Sequence, residues 1–218
     1  MNEEEWLACQ ELEPMRRHSC GSADARRNRL FAVACCYRKW KYFTDERARR
    51  AVETAENFAE GEGTLGDMDY ASQQVRSAFY EWRSKQGSQG QLTRISFACL
   101  GLVRSRLDLW QVTTNTSGIP NNSASARALD GVQQCKLLRD IFGNPFRPVA
   151  FDPAWRTDTA VSLARQMYEA REFSAMPILA DALQDAGCDS DDVLNHCRDS
   201  DVTHVRGCWV VDLVLGKV

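Results

Sequence analysis

Arg29-Leu30-Phe31-Ala32-Val33-Ala34-Cys35-Cys36-Tyr37-Arg38-Lys39-Trp40 is the run from which the fold class is read. It lies inside a segment, about 25–43, in which Leu30, Val33, Cys36/Tyr37, Trp40 and Phe43 recur at three- and four-residue steps. That spacing stacks them on one stripe of a helix. Arg26, Arg27, Arg29, Arg38, Lys39 and Lys41 then fall largely off the stripe. No stretch sustains the period-two alternation of a half-buried strand. The sequence therefore predicts an all-α protein, a compact multi-helix domain of about eight to ten helices with room for two packed helical halves.

Working outward, Thr44 with Asp45 and Glu46 behind it reads as a helix start, an N-cap followed by acids in the first turn. The helix it opens turns Ala48, Ala51, Val52, Ala55, Phe58 and Ala59 inward and stops at Gly61-Glu62-Gly63. A third helix begins near Asp67 and ends in the loop Gln86-Gly87-Ser88-Gln89-Gly90. Residues 91–110 are apolar on more than one side, which predicts the central helix. Thr113 to Asn122 is polar and uncharged; it reads as a flexible loop between a basic half, 1–112, and an acidic half, 123–218. Ser123 then caps a helix to about Phe142, with Leu129, Val132, Cys135, Leu138 and Phe142 as its stripe, and Gly143-Asn144-Pro145 ends it. Further helices are expected at about 158–170, 175–186, 191–197 and 205–215. Upstream, Trp6 and Leu7 mark a short docking helix.

At 218 residues and 44% hydrophobic content the chain can bury a sizeable core. Its longest apolar runs, near 97–103 and 208–215, fall far short of the roughly 20 residues a membrane helix needs. Met1-Asn2-Glu3-Glu4-Glu5 is acidic where a secretory signal is basic and then apolar, so a cytoplasmic location is expected. Nine cysteines, an odd number without C-x-x-C spacing, predict reduced thiols that mostly fill core positions. The formal net charge of −3 conceals an asymmetry. Residues 16–50 carry eleven Lys or Arg against three acids, a balance of +8; residues 180–218 carry eight Asp against three basic residues, a balance of −5.

Glu5-Trp6-Leu7-Ala8-Cys9, Arg29-Leu30-Phe31-Ala32-Val33-Ala34-Cys35-Cys36, Asp45 to Glu53, Leu137-Leu138-Arg139-Asp140-Ile141-Phe142-Gly143-Asn144-Pro145-Phe146-Arg147-Pro148 and His204-Val205-Arg206-Gly207-Cys208-Trp209-Val210-Val211-Asp212 together resemble a family of helical proteins expanded in planctomycete bacteria. The resemblance spans nearly the whole chain. It implies a helical fold and carries no activity, cofactor or catalytic residue with it. Val33 stands where members of that family often have a cysteine, which counts against a third thiol there as a metal ligand.

The densest chemistry lies in residues 196–212, which hold two of the three histidines and two of the nine cysteines. Zinc takes tetrahedral nitrogen and sulfur ligands. A zinc site is one candidate, from His196 or Cys197 with His204 and Cys208, completed by Cys188 or by Cys35/Cys36. His204 and Cys208 are four apart and share a face if the last helix starts by His204. Adjacent His196 and Cys197 point about 100° apart on a helix, so they do not easily both ligate. His204, Cys208 and Asp212 at i, i+4 and i+8 offer a cysteine-enzyme constellation, weakened because Cys208 falls on the apolar stripe of its helix. The basic helix, through Arg26, Arg27, Arg38, Lys39 and Lys41, offers phosphate contacts to nucleic acid, with Tyr37, Trp40 and Tyr42 as stacking groups. Asp181 and Asp185, four apart, read as a solvated face. Gly61-Glu62-Gly63 and Gly87-Ser88-Gln89-Gly90 lack the preceding strand and the lysine of a phosphate loop.

The leading expectation is a non-enzymatic helical protein, without cofactor, that binds a protein partner through its charge asymmetry. A zinc-stabilised helical protein with its His/Cys site in 188–208 comes second, a basic-helix nucleic-acid binder third, and a cysteine-dependent enzyme is the enzyme-class alternative.

Overall fold

The computed structural model describes residues 1–20, 24–86 and 90–217, and among them there are α-helices and short 3-10 turns and no strands. The order is α1 (Glu3–Ala8), α2 (Leu12–Ser19), α3 (Ala25–Tyr37), α4 (Glu46–Ala59), α5 (Leu65–Gln86), α6 (Gln91–Leu102), α7 (Leu109–Thr116), α8 (Ala124–Phe142), α9 (Asp158–Ala170), α10 (Met176–Asp185), α11 (Asp191–Arg198) and α12 (Trp209–Leu215). The all-α expectation is met. No helix among the described residues is long and apolar enough to cross a membrane. The loop expected at 87–89 lies outside the described residues.

Two compact units divide the chain, and the division does not fall at 113–122. One unit is Gln10–Cys135. The other joins Met1–Cys9 to Lys136–Val218, so α8 contributes its first part to one unit and its last turns to the other. Within the second unit the N-terminal helix is tied down by polar side chains. The guanidinium of Arg139 donates to the Trp6 carbonyl at 2.7 Å and the Cys9 carbonyl at 2.5 Å, satisfying acceptors that the end of α1 leaves open. Asn144 and Arg147 both reach the Glu3 carboxylate.

The segment read as a polar loop is helical through Thr116, and Thr113, Thr116, Ser117 and Ile119 are buried. Threonine hydroxyls can bond back to carbonyls a turn earlier: Thr113 donates to Leu109 and Thr116 to Val112. Composition alone misread a segment that satisfies its own hydroxyls. Residues 91–110 are likewise not one helix. The chain breaks at 103–108, and Asp108 recaps it by accepting from the Gln111 amide.

In the Gln10–Cys135 unit α3 is buried without interruption from Arg29 to Cys36 and packs against α4, α6 and α7. α6, inside the 91–110 segment expected to be central, packs against α3, α4, α5 and α7. Arg29, expected off the stripe, is buried because its guanidinium donates to the carbonyls of Leu102, Arg104 and Ser105, at and just beyond the end of α6. Asp45, not Thr44, is the N-cap of α4, accepting from the Arg47 amide at 2.8 Å. On α8 the expected stripe fails at Leu129, which is 70% exposed, whereas Asp130 and Gln134 are buried.

In the other unit α9 packs on α10 and α12, and α11 on α10 and α12. Ala160, Ala164, Met167, Leu179, Leu183, Val193, Cys197, Val210, Val211 and Val214 fill its core. The last helix starts at Trp209, four residues later than expected, leaving His204 on the stretch between α11 and α12. That late start leaves Cys208 as the N-cap of α12.

Candidate metal centre

Asp140, His196, His204 and Cys208 bring one potential ligand atom each to within 4.8 Å of one another. Each arrives from a different local structure. Asp140 is on the last turns of α8, three residues past buried Leu137 and one before buried Ile141, so it projects from a face that is otherwise apolar. His196 is on the last turn of α11, whose Val193 and Cys197 point into the core. His204 comes from the α11–α12 connection, and Cys208 is the N-cap of α12.

The distances describe a convergence on one point. Asp140 Oδ1 is 2.7 Å from His204 Nδ1 and 3.2 Å from His196 Nε2. His196 Nε2 is also 3.3 Å from Cys208 Sγ, and His204 Nδ1 is 3.8 Å from the same sulfur. Each imidazole thus offers a single nitrogen to both the oxygen and the sulfur. A ring nitrogen has one hydrogen or one lone pair, so as a hydrogen-bonding group it serves one such partner well. A proton relay from thiol to carboxylate would use opposite nitrogens of one ring. A cation at the centre uses all four atoms together. Ligands roughly 2.0–2.3 Å from a common zinc stand about 3.3–3.8 Å apart. Of the six separations, the two from Asp140 or Cys208 to His196 and the one from Cys208 to His204 approach this. The set as a whole spans up to 4.8 Å, so its widest edge would close on a bound ion. The Asp140–His204 edge is at hydrogen-bond length and would open by about half an ångström.

Asp140 and Cys208 have no exposed surface. The second carboxylate oxygen of Asp140 accepts from the Val205 amide at 3.0 Å, which fixes the carboxylate plane and leaves Oδ1 for the site. Burial pushes the Asp140 carboxyl up, but hydrogen bonds and charge interactions with His196 and His204 outweigh it and hold it below the usual range. Burial drives the Cys208 thiol well above its ordinary value; the Asp140 charge adds to this, and the amides of Val211 and Val210 oppose it. A thiol so protected is inert as a nucleophile, and a bound divalent cation would deprotonate it outright.

Of the seven candidate ligands, His196, His204 and Cys208 are brought together. Cys197 fills the core instead, its thiol pushed up to about 12 by burial, and Cys188 is also a buried core residue. The fourth member of the set is Asp140, where Cys188 or Cys35/Cys36 was expected. Cys35 and Cys36 are buried on α3 in the other unit. Asp212 is buried on α12 and is not one of the four. No disulfide joins any of the nine cysteines. Sequence reasoning missed Asp140 because 64 residues separate it from His204. The available signal was a carboxylate at the i+3 position from Leu137, on the buried side of its helix.

The basic residues singled out on and after α3 have partners within their own unit. Arg26 meets Glu60, Arg27 meets Asp24, and Arg38 and Lys39 share Asp130, with Lys39 Nζ 2.6 and 2.7 Å from its two oxygens. Lys41 Nζ lies 5.0 Å from the centroid of the Tyr42 ring. No family model, curated protein or solved structure matches the chain.

Proposed function

We propose that this is a metal-stabilised helical protein in which Asp140, His196, His204 and Cys208 hold one zinc ion in a closed, structural site. The observation that carries the reading is the convergence of four ligand atoms from three stretches of the chain, the end of α8, the end of α11 and the connection into α12, with each imidazole presenting one nitrogen to both oxygen and sulfur. Two nitrogens, one thiolate and one carboxylate oxygen are a tetrahedral set suited to zinc. Four protein ligands leave no position for a reacting water, so the role is to fasten the last turns of α8, α11, the 199–208 connection and the start of α12. Binding free energy at such a site becomes folding free energy.

The alternative of a partner-binding protein rests on the charge asymmetry, which is weakened by the pairing of Arg26, Arg27, Arg38 and Lys39 inside their own unit. Elemental analysis of the full chain, purified without added metal or chelator, tests the zinc reading. The expected content is about one zinc per chain, and less than about a tenth of an equivalent, with no uptake on adding zinc, would overturn it.

A further inference from the structure

Trp209 immediately follows the ligand Cys208, and its ring centroid is 5.1 Å from that of His196, with an angle of 49° between the planes. The indole is itself seated on Gly143. A Cβ at that glycine would meet Trp209 Cγ at 3.2 Å and Cδ2 at 3.3 Å, tight enough that the indole would have to shift by a few tenths of an ångström. Gly143 also has a φ of +66°, which L side chains adopt at a cost, and its amide closes α8 by donating to the Arg139 carbonyl at 2.9 Å. One residue thus meets two demands: it ends the helix that carries Asp140, and it leaves the space that Trp209 fills.

His196 depends on this packing more than the other ligands do. Asp140 is fixed through its second oxygen by the Val205 amide, and Cys208 is fixed by its place at the start of α12. His196 is on the last turn of a helix of 8 residues, and its side chain is 13% exposed, against 6% for His204. Its ring contacts are with Trp209 and, at 4.9 Å between centroids, with His204. His204 is itself a ligand, which leaves Trp209 as the ring that can hold His196 independently of the metal. A ligand nitrogen misplaced by about half an ångström loses much of its bond.

We infer that Trp209, seated on Gly143, is a positioning residue for the metal: it sets the ring of His196 so that Nε2 faces the site. This rests on the metal reading above. Trp209 is not a ligand and acts through His196 alone. Residues that support a ligand in this way commonly change affinity by about 10–100-fold when removed.

The test compares wild type with W209F, W209L and W209A as full chains, each stripped of metal and titrated with Co(II), then with zinc in competition against a chromophoric chelator. Co(II) reports geometry through the visible bands of a tetrahedral thiolate site. W209F, which keeps a flat ring, is expected to bind within about 3-fold of wild type with the same spectrum. W209L keeps apolar bulk without a ring face; it and W209A are expected to bind about 10–100-fold more weakly with altered bands. A purely structural role for Trp209 would lower the unfolding temperature of the metal-free protein and leave Co(II) affinity and spectrum of the folded protein unchanged. That result for W209L would overturn the inference even if W209A does not fold. Failure of wild type to bind either metal would overturn this inference together with the zinc reading, whereas tight binding by wild type and W209L alike overturns this inference alone.

Discussion

Asp140 Oδ1 lies 2.7 Å from His204 Nδ1, across 64 residues of sequence. The contact closes the second unit on itself, because one partner ends α8 and the other lies on the approach to α12. A carboxylate without exposed surface is costly to retain, and here it is compensated by two imidazoles and a backbone amide.

Replacing Asp140 by Asn keeps the shape and removes the charge. In D140N the unfolding temperature should no longer respond to zinc or to a chelator. In wild type, zinc held a thousand-fold above its dissociation constant should add about 4 kcal/mol of stability. Calorimetric scans with and without chelator check this, and a D140N protein that still gains the full increment would exclude Asp140 as a ligand.

The two cysteines of the 196–208 segment should separate cleanly. C208S is expected to lose zinc. C197A is expected to keep it and to lose about 1 kcal/mol from core packing, because Cys197 is buried among apolar residues. Metal content and denaturant unfolding of the two variants decide this; loss of zinc from C197A at wild-type folding would contradict the assignment.

How far the sequence could be read follows from these residues. The starts of α3, α8 and α9 were legible to within a residue, that of α8 also from its cap Ser123, which accepts from the Ala126 amide; the caps Asp24, accepting from Arg27, and Thr157, accepting from Ala160, emerge only in the fold. The last turn of α7 was hidden because Thr113 and Thr116 look like loop residues until their hydroxyls are seen bonded to the preceding turn. His196, His204 and Cys208 were legible as neighbours, although by a helix face that the chain does not form there. Asp140 was not, since sequence proximity carries no information about a contact made by the end of one helix with a connection 64 residues later.

Acid should weaken the Gln10–Cys135 unit through Asp45. Hydrogen bonding by the Arg47 guanidinium holds its carboxyl below the usual range, with burial opposing and the Arg47 amide assisting. A carboxyl lowered in the folded state gives stability that is complete above its unfolded value, about 3.9, and is lost as pH falls through the lower folded value. D45N keeps a cap for α4 and cannot titrate. Its stability should therefore fall less steeply than that of wild type below about pH 4, as measured by denaturant unfolding across pH. Parallel curves would show that Asp45 contributes nothing to the acid limb.

The buried Asp130 carboxylate pairs with both Arg38 and Lys39, offsetting one of their two charges. D130A should cost about 2 kcal/mol, less than a fully buried pair because the Arg38 side chain is 26% exposed. It should also release two cations, so elution from a heparin column should need more salt than wild type does. Unchanged elution would mean that Arg38 and Lys39 find other partners.

The most direct test is X-ray absorption at the zinc edge of the purified full chain. One sulfur at about 2.3 Å and three nitrogen or oxygen neighbours at about 2.0–2.1 Å are expected, the shell made by Cys208, His196, His204 and Asp140. A shell with two or more sulfurs, a shell without sulfur, or a protein that takes up no zinc would contradict it.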